Sequence, residues 1–596
     1  MKIQNLPVEH LLQKRKALRR ELLENAHSPI KIAVLGGVTT HEVVDLLELL
    51  LLADGFLPAF YQSDYNRYYE EAVLEPEQLR AFQPDIVYVH THWKNLHHLP
   101  PVDATEGEFQ ERTSDELERY QTIWNSIQEF AGCQIIRNNF ENPPVRILGS
   151  QDSVSHGGTT RFIHELNREF ARAARGSRSL LVHDLNALAA AMGHAQWFDW
   201  GRWYSYKMLT TPEANLAIAK SLAAMIGAIF GKTKKCLILD LDNTLWGGVI
   251  GEDGVNGIEI GKETAVAEAY TAFQEYCLAL RRRGVLLAVC SKNDPDAAKS
   301  GFSHPASILA LEDFAAFKAN WESKDRNIRE IAEELNLGLD SFVFVDDNPA
   351  ERAIVSAQLP EVTVPDVGSE VALYPAILEA GHFFEVVSLS KEDLQRTESY
   401  AANATRSTLK AKFASYDEYL DSLRMTADIS PFQPIYLERI TQLINKSNQF
   451  NLTTLRYTFT EIERIASDPN YTTCTARLSD VFGDNGLISV VIGHREGADL
   501  HIDLWLMSCR VLKRDVELAM LDYLVECAGN DRIERIVGYF SRTAKNAMVE
   551  DHYGKLGFTL QHRADDGSSS FWTLPVAGYL QRNKHILIES RAEVVK

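Results

Sequence analysis

Two carboxylates, Asp240 and Asp242, come after the apolar run CLIL (236–239) and are two residues apart. The alternation of side chains along an extended strand points both acids to one side of the chain and Leu241 to the other. Two close carboxylates either share a proton or bind a cation, and Mg²⁺ suits such oxygen ligands. The glycines of WGGVIGEDG (246–254) would let a phosphate group approach the pair.

Three later segments carry groups that the same chemistry needs, in the order Ser291, Lys324 and the pair Asp346 and Asp347. The hydroxyl of Ser291 in VCSKND can hold a phosphate oxygen, and the charge of Lys324 in NWESKDRNI can neutralise a phosphoryl group. Asp346 and Asp347 in FVFVDDNP would complete a magnesium shell. DxDxT alone is a weak motif, but four such segments in order predict phosphoryl-transfer chemistry.

Each of these groups follows an apolar stretch that alternates with a helical pattern. The predicted strands are 236–242, 284–292, 341–347 and 362–367, and the predicted helices are 264–283 and 325–337. Strands that alternate with helices form parallel sheets, and ligands bind where the carboxyl ends of such strands meet. The pattern therefore predicts an α/β domain over 232–385, followed by a polar helical connector over 386–414.

The chain on either side of this domain has different patterns. Residues 1–231 are predicted to form another α/β domain, since strands such as KIAVLGG (31–37) and PDIVYVH (84–90) alternate with helices. Residues 415–596 combine an amphipathic helix, YLERITQLINKS, with alternating strands such as LHIDLWLMS. The predicted fold class is two consecutive α/β domains with parallel sheets, followed by a mainly antiparallel α+β domain.

The composition is that of a globular protein too long for one hydrophobic core. The 596 residues are 45% hydrophobic and carry a formal net charge of −21, which argues against a nucleic-acid partner. Seven cysteines without CxxC spacing favour a reducing compartment and no zinc site. The apolar run at 46–53 is too short to span a bilayer, and residues 1–27 are unlike a secretory signal. We therefore expect a cytoplasmic protein with no membrane partner.

The four motifs together resemble those of the haloacid dehalogenase superfamily of phosphoryl-transfer enzymes. The resemblance implies that Asp240 is the nucleophile, that Asp242 is the general acid and base, and that Lys324 steadies the aspartyl group and the phosphate. It also implies magnesium ligation by Asp240, Asp346 and the main-chain carbonyl of Asp242, with Asp347 as a supporting ligand. The groups expected to hold the phosphate are Ser291, Lys292, Asn243 and Thr244.

Longer segments resemble the FkbH-like family over about residues 30 to 560. They are TLWGGVIGEDG, LAVCSKND, FVFVDDNPAERA, NKSNQFNLTT and LMSCRVL, in the family's order. Members are similar to glyceryltransferase/phosphatases, which strip phosphate from 1,3-bisphosphoglycerate and load the glyceryl unit as a thioester on an acyl carrier protein for polyketide-type pathways. The resemblance implies Mg²⁺ as cofactor, a small phosphorylated three-carbon substrate and an acyl carrier protein as partner.

Two of the cysteines could accept the acyl group. Cys290 adjoins Ser291 at the expected phosphate site, although its position is equally that of a small buried side chain in a strand. Cys509 ends the strand DLWLMSCR, and the basic residues that follow it would favour a thiolate and attract an acidic carrier. We favour Cys509 as the acyl acceptor and keep Cys290 as the alternative.

The last domain resembles the acetyltransferase fold related to Gcn5. The pyrophosphate loop of that fold, R/Q-x-x-G-x-G/A, reads Arg510-Val-Leu-Lys513-Arg-Asp515 here, so both glycines are missing. A carrier-protein arm has one phosphodiester and no pyrophosphate, and the resemblance then implies an acyltransferase-like docking site for that arm. The expected contacts of the arm are Arg510, Lys513, Arg514, Asn546 and Tyr553.

The first domain resembles SGNH hydrolases but lacks their catalytic residues. Its first strand runs into Gly36-Gly37-Val38-Thr39 with no serine, and the late segment that begins at Asp199 has no histidine in reach. We expect a catalytically silent domain that serves as a scaffold or binds a partner.

Three functions remain open on the sequence alone. The first is the magnesium-dependent glyceryl transfer to a carrier protein, and the second is a simple phosphatase that acts on a sugar phosphate or another small metabolite in polysaccharide biosynthesis. The third is a non-catalytic factor that recruits carrier proteins. The intact acids and Lys324 disfavour the third, whereas the glycines missing at positions 513 and 515 give weight to the second.

Overall fold

The computed structural model describes residues 3, 6–410, 412–447, 449–543 and 545–589. The chain divides into two compact units: unit 1 comprises residues 1–229 with 457–464, and unit 2 comprises 230–456 with 465–596. The predicted boundary at residue 231 lies close to the division between the units, while those at 385 and 414 fall inside unit 2 and stay predictions. None of the described helices is both long and apolar enough to cross a membrane.

Unit 1 contains a five-stranded parallel sheet with the order β2-β1-β3-β4-β5. Its strands are β1 (Ser28–Gly36), β2 (Phe56–Gln62), β3 (Ile86–His90), β4 (Gln134–Asn138) and β5 (Leu180–His183). Its helices are α1 (Val8–Leu23), α2 (His41–Ala53), α3 (Glu77–Phe82), α4 (Glu106–Ala131), α5 (Thr159–Gly176), α6 (Leu185–Met192), α7 (His194–Trp197), α8 (Trp200–Tyr206) and α9 (Pro212–Ile229).

The core of unit 1 follows from the alternation of side chains along the strands. Val87 and Val89 of β3 face one side, where they share a buried cluster with Phe162 and Phe170 of α5. The predicted first α/β domain is thus observed. β2 was not predicted, because Pro58 interrupts its pattern, and proline is tolerated at the sheet edge where β2 lies.

The first part of unit 2 is a four-stranded parallel sheet with the order β8-β7-β6-β9. Its strands are β6 (Cys236–Leu239), β7 (Leu286–Ser291), β8 (Phe314–Ala319) and β9 (Phe342–Val345). Its helices are α10 (Ile250–Asp253), α11 (Ala265–Arg282), α12 (Pro295–Ser300), α13 (Lys324–Leu335), α14 (Pro349–Gln358) and α15 (Tyr374–Ala380).

Both faces of this sheet are covered, as expected for parallel strands. Leu237 and Leu239 of β6 belong to one buried cluster, whereas Cys236 and Ile238 belong to another. The predicted strand at 362–367 is reduced to a single bridge between Thr363 and Val343, since Pro365 cannot donate to a ladder. The edge strand β8, which was not predicted because its residues do not alternate strongly, lies at the other edge of the sheet beside β7.

The predicted connector is helical, with α16 (Lys391–Leu394) and α17 (Arg396–Lys410). After it comes an eight-stranded sheet with the order β15-β16-β14-β13-β12-β11-β10-β17. Its strands are β10 (Met425–Ser430), β11 (Tyr471–Asp480), β12 (Gly483–Glu496), β13 (Asp499–Met507), β14 (Arg535–Ser541), β15 (Thr559–Arg563), β16 (Ser569–Pro575) and β17 (Ile586–Ile588). The helices of this region are α18 (Tyr416–Ser422), α19 (Leu437–Lys446), α20 (Phe459–Ser467), α21 (Val516–Asn530) and α22 (His552–Lys555).

This last sheet is mainly antiparallel, as predicted, with a parallel pair, β13 and β14, near its centre. These two strands pair only from Asp499 to Ile502. Beyond that point residues 450–452 lie between them: Leu452 donates its N–H to the carbonyl of Trp505 at 3.1 Å, and Ser541 donates to the carbonyl of Leu452 at 2.8 Å. We call this place, where 450–452 separate the strands, the strand gap.

Candidate active site

Lys324 links the carboxylates at the ends of two neighbouring strands. Its Nζ lies 2.7 Å from Oδ2 of Asp240, which follows β6, and 2.5 Å from Oδ2 of Asp346, which follows β9. Lys324 begins α13, and both it and Asp346 are almost fully buried. The order of the parallel strands, β7-β6-β9, therefore brings together residues more than 80 positions apart in the sequence.

The charges of this cluster oppose one another in a buried setting. Burial and the nearby charge of Asp240 raise the pKa of Asp346 to about 6, although Lys324 acts against this. Burial and Asp240 also raise the pKa of Asp347. Burial would lower the pKa of Lys324, but its contacts with Asp240 and Asp346 raise it overall. Arg352 donates to the carbonyls of Asp346 and Asp347 and also acts against the raised pKa of Asp347. Three carboxylates thus lie beside two cations, Lys324 and Arg352, which leaves negative charge for a bound cation to offset.

Asp240, Asp346 and Asp347 can converge on a metal ion. One carboxylate oxygen from each lies within 4.8 Å of the others. Oδ1 of Asp240 is buried and accepts no hydrogen bond from any residue in the described part of the chain. A buried, unpaired carboxylate oxygen beside two more carboxylates fits a hard divalent cation such as Mg²⁺.

The Asp242 carboxylate is held away from that triad by three donors. Its Oδ1 accepts from Trp246 Nε1 at 2.9 Å and from the N–H of Ile250 at 3.0 Å, and its Oδ2 accepts from Asn293 Nδ2 at 2.8 Å. The sequence placed Asp242 among the metal ligands through its main-chain carbonyl, and its side chain lies outside the group of three. Its fixed position beside Asp240 suits a group that gives and takes a proton. Trp246 and Asn293 were not singled out in the sequence, because nothing local shows which side chains reach Asp242.

The turn after β6 needs an unusual backbone. Asn243 has φ 55° and Gly248 has φ 88°, in the left-handed region that favours glycine and asparagine. Oδ1 of Asn243 accepts from the N–H of Gly248 at 3.0 Å, which closes the turn. Thr244 is fully buried, and its Oγ1 accepts from the N–H of Asp347 at 3.2 Å. Of the two residues predicted to bind phosphate here, Asn243 thus closes the turn, and Thr244 links the ends of β6 and β9.

The other two groups predicted to bind phosphate follow β7. Ser291 is the last residue of β7 and is almost fully buried. Lys292 is more exposed, and its Nζ pairs with Glu351 at 2.6 Å. Both lie at the carboxyl edge of the sheet, the edge that carries Asp240 and Asp346.

The two candidate cysteines lie in different surroundings. Cys290 is fully buried in β7, its Sγ is 3.7 Å from the carbonyl oxygen of Lys324, and burial raises the pKa of its thiol well above the usual range. Cys509 is half-buried and lines a cavity of about 440 Å³, which we call the Cys509 cavity. Its Sγ is 3.8 Å from the hydroxyl of Tyr400. The surroundings favour Cys509 over Cys290 as a reactive thiol.

The Cys509 cavity lies at the opposite edge of the four-stranded sheet β8-β7-β6-β9 from Asp240. It is lined by Lys235, which precedes β6, and by Ser341, which precedes β9. Asp240 lies five positions after Lys235, a span of about 16 Å at the rise of an extended strand. An acyl group cannot pass directly from one place to the other, and the sequence, which treated both as one chemistry, did not predict this separation.

The five residues predicted to contact a carrier arm are not equally accessible. Arg510 lines the Cys509 cavity, and Lys513 is exposed. Arg514 is buried and pairs with Asp480 at 3.0 Å. Asn546 is fully buried, and its Nδ2 donates to the carbonyls of Asn451 at 3.0 Å and Ser541 at 2.9 Å, which secures the strand gap. Tyr553 is buried as well, so the role of these last three in arm binding stays a prediction.

Unit 1 has a polar cluster at the carboxyl ends of β3 and β4 that was not predicted. His92 Nδ1 lies 2.7 Å from Glu141 Oε1, and both side chains are fully buried. Asn138, the last residue of β4, bonds the backbone of Thr91 through its side chain. Thr39, which follows β1, donates its hydroxyl hydrogen to the carbonyl of Tyr206 at 2.8 Å.

Comparisons with solved structures show a similarity to a phosphatase-domain protein. The solved N-terminal part of BF1531 from Bacteroides fragilis, which contains a phosphatase domain and was crystallised with Mg, is 31% identical to the chain. The match covers 63% of this chain and 99% of the solved one, with a TM-score of 0.59. No protein-family model and no curated protein matches the chain.

Acetyltransferase structures match a smaller share of this chain. The ribosomal-protein-S18-alanine N-acetyltransferase from Escherichia coli is 12% identical over 27% of this chain and 99% of its own, with a TM-score of 0.21. The PaiA N-acetyltransferase from Thermoplasma acidophilum, solved with coenzyme A, is 16% identical over 25% of this chain and 99% of its own, also with a TM-score of 0.21. The fold of the last sheet is defined by its own strand order and pairing.

Proposed function

Because the chain belongs to the same family as the phosphatase-domain protein BF1531, we propose that it is a Mg²⁺-dependent phosphatase that also loads an acyl group on a carrier protein. The substrate class is a small phosphorylated three-carbon compound, with 1,3-bisphosphoglycerate as the specific candidate. The acyl group is a glyceryl unit, carried as a thioester in a polyketide-type pathway, as in the FkbH-like family. The observation that carries the phosphatase part is the contact of Lys324 with both Asp240 and Asp346.

In the phosphatase reaction Asp240 acts as the nucleophile. One of its carboxylate oxygens bonds to phosphorus while the bond from phosphorus to the substrate oxygen breaks, and Asp242 gives its proton to that leaving oxygen. Asp242 then takes a proton from water, which attacks the aspartyl phosphate and releases phosphate. Lys324 keeps Asp240 in position throughout. Mg²⁺, held by Asp240, Asp346 and Asp347, would supply positive charge against the phosphoryl oxygens.

In the acyl transfer Cys509 is the acceptor. Its sulfur bonds to the carbonyl carbon of an acyl phosphate, the bond from that carbon to the phosphate oxygen breaks, and the leaving phosphate takes the thiol proton. The thiol of a carrier arm then replaces Cys509 on the acyl group and returns a proton to it. An acyl phosphate is already activated, so no ATP is needed. The accessibility of Cys509 and its cavity support this assignment over Cys290.

A simple phosphatase acting on a sugar phosphate or a similar metabolite is the second candidate. The glycines missing at positions 513 and 515, and the occupation of the strand gap by residues 450–452, both favour it, because they leave less room for an arm in the last domain. A non-catalytic factor that recruits carrier proteins is disfavoured by the complete set of acids around Lys324.

The test is intact-protein mass spectrometry together with phosphate release. Wild type, Asp240→Asn and Cys509→Ser are supplied with 1,3-bisphosphoglycerate, with and without Mg²⁺ and a candidate acyl carrier protein. We expect Mg²⁺-dependent phosphate release that Asp240→Asn abolishes, and a glyceryl adduct that moves to the carrier and is missing in Cys509→Ser. Phosphate release without any adduct would leave the simple phosphatase, and an adduct that survives Cys509→Ser would favour Cys290 or direct transfer.

A further inference from the structure

We propose that the Cys509 cavity is an anion-binding site of its own, which takes a small phosphate-bearing acyl compound and is separate from the magnesium site. That an acyl compound binds here rests on the proposed function, whereas the binding of an anion does not. The evidence for anion binding is the cavity, the cations that line it and the position of the Cys509 thiol in that lining, and none of these involves Asp240.

The lining of the Cys509 cavity is rich in positive charge. Six basic side chains line it, against four acidic ones. They are Lys235, Arg396, Arg439, Lys446, Arg510 and Lys545, against Asp340, Glu361, Glu392 and Asp393. Because the whole chain has a formal net charge of −21, this excess of positive charge belongs to the cavity and not to the composition of the chain.

The acids that pair with these cations do not balance all of them. Asp393 pairs with Lys446 at 3.0 Å and also with Arg396, and although burial raises the pKa of Asp393, these cations hold it below the usual range. Asp340 pairs with Lys545. Lys235, Arg439 and Arg510 have no ion pair with any residue that the structure describes, and Nε of Arg439 is buried without a hydrogen bond from within that part of the chain.

Leaving these cations unbalanced is unfavourable. Burial, followed by the charge of Arg510, lowers the pKa of Arg439 to about 10. Burial lowers the pKa of Lys446 to about 8 and also lowers that of Lys235. Buried like charges weaken the folded state unless an opposite charge offsets them. A phosphate group would supply two negative charges and several acceptors for the guanidinium and ammonium groups.

The thiol lies within the same lining. Cys509 begins a short helical turn after β13, and its carbonyl accepts from Asn336 Nδ2 at 3.1 Å, which holds the turn to the phosphatase-like part of unit 2. Leu443, Phe450 and Met507 supply an apolar part of the lining. The cavity therefore offers cations for a phosphate, apolar surface for a short carbon chain and a thiol for its carbonyl carbon.

Alkylation of the cysteines by reagents of different charge tests the proposal. Iodoacetate is anionic and iodoacetamide is neutral, and mass spectrometry of peptides measures the rate at each cysteine. Cys527 is an internal control, because it is also half-buried but lies beside Glu526 and Asp531. We expect the ratio of the iodoacetate rate to the iodoacetamide rate to be on the order of 10-fold higher at Cys509 than at Cys527 at low salt.

Variants test whether the basic residues of the cavity cause the higher rate ratio at Cys509. Lys235→Gln and Arg439→Gln should each lower the ratio at Cys509 severalfold, whereas Lys584→Gln, which removes an exposed charge outside the cavity, should leave it unchanged. Circular dichroism checks that each variant is folded. An equal ratio at the two cysteines, or a ratio that neither cavity variant changes, overturns the proposal.

Inorganic phosphate provides a second readout. In Asp240→Asn without Mg²⁺, phosphate should slow alkylation of Cys509 by iodoacetamide, and chloride at the same ionic strength should not. Cys527 should respond to neither. Equal rates in phosphate and chloride contradict the proposal. If the anion effects are present but no glyceryl adduct forms with 1,3-bisphosphoglycerate, the cavity stands and the proposed acyl transfer fails. If phosphate release is intact and the anion effects are missing, only the cavity assignment fails.

Discussion

At the scale of single residues, the candidate site depends on the different hydrogen-bond partners of Asp240 and Asp242. Asp240 contacts Lys324 and retains one oxygen that no described residue bonds, whereas both oxygens of Asp242 accept hydrogen bonds. Two acids of the same type, two residues apart, thereby acquire different roles. The first is free to attack or to ligate, and the second is oriented to move a proton.

Asp242→Asn tests the second of these roles. The amide keeps the shape of the side chain but cannot transfer the proton, so we expect phosphate release to fall about 10²- to 10⁴-fold. The measurement is the steady-state rate at saturating substrate and Mg²⁺. Glu312→Gln, which changes an exposed carboxylate of the same unit, serves as the control and should have wild-type activity. A rate for Asp242→Asn within threefold of wild type would rule out the acid and base role.

A buried histidine in the last domain predicts a pH dependence of stability. Burial, and to a smaller extent Lys555, lowers the pKa of His552 to about 3. Its ring packs against Phe450 at 4.8 Å and Trp505 at 5.1 Å. In the unfolded chain its pKa is about 6.5, so below that pH the unfolded state takes up a proton that the folded state does not. The stability contributed by the neutral ring is complete above about pH 6.5 and is lost as the pH falls.

We therefore expect the free energy of unfolding to drop by about 2 kcal/mol from this group alone between pH 7 and pH 5. Urea unfolding at both pH values, on wild type and His552→Leu, measures it. The variant lacks the titrating ring, so its pH dependence should be weaker by that amount. Equal pH dependence of the two proteins would show that His552 does not titrate on unfolding.

At the scale of elements, the strand gap shows how a short segment completes a sheet. β13 and β14 stop pairing after Ile502, and residues 450–452 take over their hydrogen bonds. The segment has backbone bonds on both sides, and the side chain of Asn546 adds two more. The gap between two parallel strands is thus closed by the chain itself.

Asn546→Ala should loosen this arrangement. The substitution leaves the buried carbonyls of Asn451 and Ser541 with fewer donors, at a cost of about 1–3 kcal/mol. Hydrogen exchange at the amides of Leu452 and Ser541 should become faster, and the exchange of β6 should not change. Asn470→Ala, at an exposed turn, is the matched control and should have exchange rates like those of wild type. Unchanged exchange at Leu452 in Asn546→Ala would contradict this role.

At the scale of the whole molecule, unit 2 contains two chemically different places at opposite edges of one parallel sheet. The carboxyl edge has the acids and Lys324, and the amino edge, with Lys235 and Ser341, faces Cys509 across the cavity. Loops at the two ends of the same strands are kept apart by the strands. A substrate that needs both places must therefore leave the first before it reaches the second.

This separation predicts that the two places act independently. Cys509→Ser should leave Mg²⁺-dependent phosphate release within about twofold of wild type, because effects at sites more than about 10 Å apart rarely couple. Asp240→Asn should leave the iodoacetate rate at Cys509 unchanged. A tenfold loss of phosphate release in Cys509→Ser would mean that the two places communicate.

The sequence by itself determined the phosphatase-like half in some detail. The alternation of apolar residues and the acids after CLIL and FVFV predicted β6, β9 and the edge where Asp240, Lys324 and Asp346 meet. Such inferences succeed because strand periodicity is local and parallel strands have only one carboxyl edge. The strand predicted at 362–367 was wrong, because Pro365 limits it to one bridge.

Only the tertiary structure decided what depends on segments far apart in the chain. The Cys509 cavity combines residues near positions 235, 340, 393, 439 and 510, and its cations are isolated from one another in the sequence. Three other features also join residues that are distant in the sequence or not linked by any local pattern. They are the donors that hold Asp242, the buried pair of His92 and Glu141, and the filling of the strand gap by residues 450–452. Local patterns encode which face of an element is buried, but the packing of elements decides which distant side chains share a cavity and a charge.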